Sequence, residues 1–204
     1  MPLSDIRAAV AGVGFIGVAH VEALRRLGVD VVGVVGSSPD RARMKASAAN
    51  LPRVYESYDE LVGDPQVDVV HVATPNYAHA DQVRRAFESN KHVVCEKPLA
   101  MTSDETNDLL ERAEASGLVH AVCYNIRFYP LCHEMRALVG SGAIGEPRFV
   151  TGSYLQDWLL QPTDWNWRLV RQEAGELRAV ADIGTHWLDL ARFITGRDVV
   201  EVMA

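Results

Sequence analysis

The chain has 204 residues and ordinary globular usage, with 48 % hydrophobic and 23 % charged residues. Disorder, collagen and coiled coil are excluded, and the length suits one large domain or one domain plus part of another. The formal net charge of −7 repels polyphosphate, so a nucleic-acid partner is not expected, though one local basic pocket for a small phosphate is compatible with it.

The first apolar stretch, residues 6–21, is interrupted by Arg7, His20 and three glycines. It falls short of the ~20 residues a membrane-spanning helix needs, and it has the flanks of neither a span nor a signal peptide. No membrane partner is expected. Cys95, Cys123 and Cys132 are odd in number and carry no CxxC spacing. Buried thiols in a reducing cytoplasm are the expectation, with no disulfide and no metal.

Val-rich runs at Ile6–Ala11, Val29–Val35, Val67–Ala73, His92–Cys95 and Leu118–Cys123 read as strands covered on both faces. Helical stretches lie between them at Phe15–Leu27, Pro39–Asn50, Asn76–Ser89 and Thr102–Ser116. Ser38 before Pro39 is a cap followed by a first-turn proline, and Asn76 is a candidate cap. Thr102 and Glu105 have the capping-box spacing, and Gly117 is a stop. Strands alternating with helices predict right-handed crossovers and a doubly wound parallel α/β sheet. The alternation ends near Asn125. Strands are then expected over Arg148–Gln156 and Val199–Met203, and a helix over Thr185–Ile194 stopped by Gly196.

Gly12-Val13-Gly14-Phe15-Ile16-Gly17 is a GxGxxG that follows a predicted strand and opens a helix. Its glycines suit a tight turn, a backbone approach to pyrophosphate and close helix–strand packing, so it is a candidate dinucleotide site. The end of the second strand usually holds an acidic residue when NAD is preferred; here it holds Gly36. Ser37, Ser38 and Arg41, with Arg43 nearby, are candidates for a 2′-phosphate, which leans the expectation to NADP. A solvated, capped helix start accounts for the same residues.

Three further clusters carry candidate chemistry, the first two of them where parallel sheets bind ligands. Thr74-Pro75-Asn76 with His79 follows one strand, and Glu96-Lys97-Pro98 ends another, with an X–Pro bond open to the cis form. Asp182 and His186 are four apart, so a helix there sets both on one side, and His beside a carboxylate is an acid/base near neutral pH. Asp189 is a candidate support or a solvent residue. Each cluster also has a plain structural reading: a helix cap with a surface histidine, a strand-end lysine paired with Glu96, and a structural histidine with a capping aspartate.

Taken together, AGVGFIG, ATPNYAH, HVVCEKPLAMT, YNIRFYP, TDWNWRL and DIGTHWLDLA resemble the Gfo/Idh/MocA oxidoreductase family. The resemblance covers essentially the whole chain but only part of a typical member, so a C-terminal truncation is expected. It implies a Rossmann NAD(P)-binding domain over residues 1–125 and a partial α+β substrate domain over 126–204. It implies hydride transfer between nicotinamide and a secondary alcohol of a sugar, glycoside or cyclitol. Lys97, Asp182 and His186 match the catalytic positions, and the full-length form is expected to be a homo-oligomer. Gly12, Gly14, Phe15, Ile16, Gly17, Ser37, Ser38, Arg41, Thr74, Pro75, Asn76, His79, Glu96 and Lys97 are the candidate cofactor contacts. Arg127, Tyr154, Trp158, Trp165 and Arg168 are candidates to line a sugar site with Asp182 and His186. Aromatic faces suit sugar C–H surfaces, although tryptophan is also ordinary core filler. Ala174-Gly175-Glu176 stands where many members have two adjacent glycines. Two alternatives accompany this reading: an NAD-dependent glycoside hydrolase of the same family, or a non-catalytic dinucleotide-binding fragment.

Overall fold

A computed structural model describes residues 2–203, and the chain divides into two compact units, Met1–Cys123 and Tyr124–Ala204. In the first unit the strands are β1 (Arg7–Ala11), β2 (Asp30–Val35), β3 (Val69–Val72), β4 (His92–Cys95) and β5 (His120–Val122). They form one parallel sheet in the order β2-β1-β3-β4-β5. The order reverses at β1, so the crevice at the carboxyl ends of β1 and β3 is the topological switch point where such sheets bind ligands.

The helices are α1 (Phe15–Arg26), α2 (Pro39–Ala48), α3 (Tyr58–Gly63), α4 (Asn76–Glu88) and α5 (Ser103–Ser116). Two apolar layers explain the continuous runs of the sequence. Ala8, Val10, Val31 and Val34 pack on Val21, Leu24 and Ala46 of α1 and α2. Ala9, Ala11, Val70, Val72, Val93 and Cys95 pack on Leu61, Val83, Ala86 and Leu109 of α3, α4 and α5. Both faces of the sheet are therefore dry, and the small alanines of β1 let helices close on it.

Ser38 caps α2 by accepting from the Arg41 amide, with Pro39 in the first turn. Thr102 and Glu105 form the expected capping box, and Gly117 ends α5 at φ +66°. Asn76 is not a cap: Pro75 occupies that position and Asn76 begins α4, buried. The reason is that Pro75 already holds the extended backbone a cap requires. Helix α3 was not foreseen from hydrophobic periodicity, because six residues give it too little room to register. Its signal is the Ser57–Glu60 spacing, and Ser57 accepts from the Glu60 amide.

The second unit holds α6 (Pro130–Gly140), α7 (Arg171–Ala174), a π-helical turn over Val180–Gly184 and α8 (Thr185–Thr195). Gly196 stops α8 in the left-handed region at φ +68°, as expected. Helix α6 starts on Pro130 and was also unforeseen. The expected strands over 148–156 and 199–203 do not form among the described residues. A strand exists by pairing, and neither segment has a ladder partner; Val200 and Met203 are almost wholly exposed. No helix among the described residues is long and apolar enough to cross a membrane.

Candidate functional site

The glycine turn joins β1 to α1. The Gly12 amide donates to the Val35 carbonyl at 2.8 Å, and its φ of +108° demands glycine. A Cβ on Gly12 would lie 2.3 Å from the Ala73 carbonyl oxygen, so the turn presses against the end of β3. A Cβ on Gly17 would lie 1.9 Å from the Gly12 carbonyl oxygen, which seats α1 on the turn. A Cβ on Gly14 would meet nothing within 4 Å. Gly14 is the N-cap of α1 and offers no side chain to its first-turn amides. Two glycines thus close the turn and the middle one leaves it open, with helix donors beside the opening. That arrangement suits a pyrophosphate. Phe15 is exposed and Ile16 half-buried beside it.

At the end of β2, a Cβ on Gly36 would lie 2.8 Å from Val13 Cγ2, so packing against the glycine turn leaves little room for an acidic side chain. Ser37 and Arg41 are exposed. Arg43 is engaged elsewhere, with Asp40 at 3.2 Å and Glu56 at 3.0 Å.

Thr74 Oγ1 donates to Gln82 Oε1 at 2.7 Å. His79, only 1 % exposed, is not a surface contact. Its ring spans the Thr74 carbonyl at 2.8 Å and the Pro98 carbonyl at 2.7 Å, joining the loop after β3 to the loop after β4. Burial pushes the imidazole down, against the two carbonyls, which favour its charged form. Both ring nitrogens of His79 thus face backbone carbonyls, so the ring fixes the two loops relative to each other.

The Lys97–Pro98 peptide is cis. Glu96 Oε2 accepts from the Lys97 amide at 3.2 Å, so Glu96 holds the backbone of the turn. Its other partners are His20 Nε2, at 3.1 Å from Oε1, and the Cys123 thiol. Burial pushes the Glu96 carboxyl up, but the hydrogen bonds from His20 and Cys123 outweigh it and hold it below the ordinary carboxylate value. His20 Nδ1 in turn meets His71 Nδ1 at 2.8 Å. Sequence reasoning missed His20, His71 and Cys123 here, since they come from three separate elements.

In the second unit Asp182 lies in the π-helical turn and His186 in the first turn of α8. Such turns are rare and recur at functional sites. Asp182 Oδ1 accepts from Arg168 Nε at 3.0 Å. The Arg168 guanidinium lies over the Trp167 ring at 4.5 Å and near Trp158 at 5.8 Å, which fixes its plane. His186 is buried, with Tyr154 and Tyr124 edge-on at 5.9 and 5.7 Å. Burial pushes the Tyr124 phenol up, against its bond to Thr185. Tyr124 was not singled out in the sequence, although it opens the YNIRFYP tract. The Arg127 guanidinium forms a bidentate pair with Asp189, which packs the segment before α6 on α8. Trp165 is 72 % exposed. Of the five proposed lining residues, the structure therefore gathers Tyr154 at His186 and Arg168 with Trp158 at Asp182. Gly175, in the segment that departs from the double glycine, has φ +87°.

Residues 6–124 match the family model described as "Oxidoreductase family, NAD-binding Rossmann fold", and residues 132–204 match a GFO/IDH/MocA C-terminal domain. Levoglucosan dehydrogenase of Pseudarthrobacter phenanthrenivorans is 31 % identical over 95 % of this chain and 52 % of its own. The 1,5-anhydro-D-fructose reductase of Ensifer adhaerens is 34 % identical over 90 % of this chain and 54 % of its own. A levoglucosan dehydrogenase structure in complex with NADH and levoglucosan superposes with a TM-score of 0.88, at 31 % identity, over 94 % of this chain and 54 % of that one. The chain spans about half the length of the curated relatives it matches. With a five-stranded parallel sheet, an open glycine turn at its switch point and a family match across more than half of its residues, the chain belongs to the Gfo/Idh/MocA family of NAD-binding oxidoreductases.

Proposed function

We propose that the chain carries the nucleotide unit and part of the substrate unit of an NAD(P)-dependent oxidoreductase. Its substrate is a secondary alcohol of a sugar, glycoside or cyclitol. The observation that carries the reading is the glycine turn, closed by Gly12 and Gly17 and open only at Gly14 beside uncapped helix amides. Sugar or sugar-derived substrates in the names of several relatives support the substrate class.

A bound nicotinamide supplies the hydride acceptor. His186 takes the hydroxyl proton as the alcohol is oxidised and returns it in the reverse direction. Asp182, held by Arg168, orients the imidazole or the sugar. Lys97 holds the reacting hydroxyl, on a turn whose backbone Glu96 and His79 fix. Tyr154 packs against His186 and helps keep water from it. Ser37 and Ser38 are the groups nearest to what a 2′-phosphate would need, while a related structure is a complex with NADH. Either cofactor is thus carried into the test. A homo-oligomer of the longer family form remains part of the proposal, argued from the family resemblance.

The test is a panel of sugars, anhydrosugars and cyclitols with NAD and NADP, followed at the nicotinamide absorbance, beside a fluorescence titration with NADH and NADPH. Substrate-dependent reduction of either cofactor is expected. Binding without turnover of any sugar would leave a dinucleotide-binding unit and refute the catalytic assignment. Failure to bind either nucleotide would refute both.

A further inference from the structure

We propose that His20 Nε2, a Glu96 carboxylate oxygen and Cys123 Sγ form a binding site for one borderline-soft divalent cation, with zinc as the type. The three donor atoms all lie within 4.8 Å of one another, and the three residues are half-buried. They come from α1, from the end of β4 and from the end of β5, so their backbones are held by the packed sheet.

The donor chemistry is one nitrogen, one carboxylate oxygen and one sulfur, a set that suits zinc better than magnesium or calcium. Tetrahedral zinc with bonds of about 2.0–2.3 Å needs donor atoms roughly 3.3–3.7 Å apart. His20 Nε2 and Glu96 Oε1 are already 3.1 Å apart. Glu96 Oε2 is spent on the Lys97 amide, which leaves Oε1 for a metal. The imidazole N–H and the thiol S–H both converge on this one carboxylate, so protons stand where a cation would sit.

The outer shell also fits. A metal-bound histidine usually donates its second ring N–H to a fixed acceptor. His20 Nδ1 has His71 Nδ1 at 2.8 Å. With metal on Nε2, the neutral His20 ring carries its proton on Nδ1 instead and donates it to His71 Nδ1, so the proton of the neutral His71 ring sits on its Nε2. The Cys123 thiol loses its proton to solvent, so binding displaces one proton in all and no oxidant or reductant is needed. Three protein ligands leave a fourth position for water. This inference does not depend on the oxidoreductase reading, because its test has no catalytic readout.

The experiment titrates the reduced chain with Co²⁺ and then Zn²⁺. A thiolate-to-cobalt charge-transfer band saturating at one equivalent is expected, and zinc should bleach it. Cys123→Ser should abolish the band and His20→Gln should weaken cobalt binding at least ~10-fold, while Cys132→Ser leaves it unchanged. His71→Ala should keep the band and weaken binding by about 10-fold, the scale of a lost outer-shell partner. An independent measurement on the unmodified chain is alkylation mapped by mass spectrometry, in which zinc should protect Cys123 but not Cys132. Absence of the band, its persistence in Cys123→Ser, or equal alkylation of Cys123 with and without zinc overturns the proposal.

Discussion

Replacing Gly14 and Gly17 separately by alanine should separate binding from folding. The same added methyl group meets opposite surroundings at the two positions. On Gly17 it would lie 1.9 Å from the Gly12 carbonyl oxygen, a backbone atom that cannot swing aside. Helix α1 must then lift from the turn by more than an ångström, an overpacking that costs about 3 kcal/mol or more. For a unit of this size that lowers the melting temperature by roughly 10 °C. On Gly14 the methyl meets nothing within 4 Å, and the backbone at φ −70° and ψ −172° accepts alanine. Only the weaker capping of alanine remains, below about 1 kcal/mol, or less than roughly 4 °C. Nucleotide affinity should behave differently, because the Gly14 methyl fills the space proposed for the pyrophosphate. NADH should bind at least ~10-fold more weakly, which corresponds to about 1.4 kcal/mol. Urea denaturation and NADH fluorescence titration read the two effects separately. Equal destabilisation by both variants, or wild-type NADH binding by Gly14→Ala, would refute the reasoning.

In a full-length form, Lys97→Ala and His186→Ala should each lower turnover of the proposed sugar substrate at least ~100-fold, and near-native rates in both would sink the catalytic assignment. Ser37→Asp should weaken NADPH at least ~10-fold by repulsion while sparing NADH; unchanged NADPH affinity would remove the 2′-phosphate pocket. Asp64 should contribute stability that depends on pH. Its carboxylate accepts from the Gln66 amide at 2.8 Å, from the Tyr55 hydroxyl at 2.8 Å and from Arg53 at 2.7 Å. The Gln66 amide leads in holding its pKa below the ordinary value, against burial, with Tyr55 and Arg53 adding to it. A lowered folded pKa gives stability that is present above the unfolded value of about 3.9 and is lost as pH falls through the folded one. Asp64→Asn should therefore cost about 1–2 kcal/mol at neutral pH and flatten the loss of stability on acidification, read by urea midpoints across that range. An unchanged acid limb would show that Asp64 is not its source.

Much of the first unit was legible in the chain because its information is local. Val-rich runs declare strands buried on both faces, and the caps at Ser38 and Thr102 and the stop at Gly117 act within a few residues. The glycine fingerprint carries its own stereochemistry, since Gly12 turns at φ +108°. The second unit was less legible. Residues 148–156 have a strand's composition, but composition cannot supply a ladder partner, and the segment forms no strand among the described residues.

What the sequence determined alone is therefore the family motifs, the crossovers and the turn that opens at Gly14. Tertiary structure alone decided which chemistry-bearing groups meet. His79 shows no structural partner in the sequence, and the fold puts carbonyls from two different loops on its ring. Arg127 and Asp189 lie 62 residues apart, and only the fold pairs them. His20, Glu96 and Cys123 show no motif spacing, yet their donor atoms converge. The physical reason is common to all three: hydrogen bonding and ligation act over a few ångströms of space, and only the packed sheet and helices bring distant residues within that range.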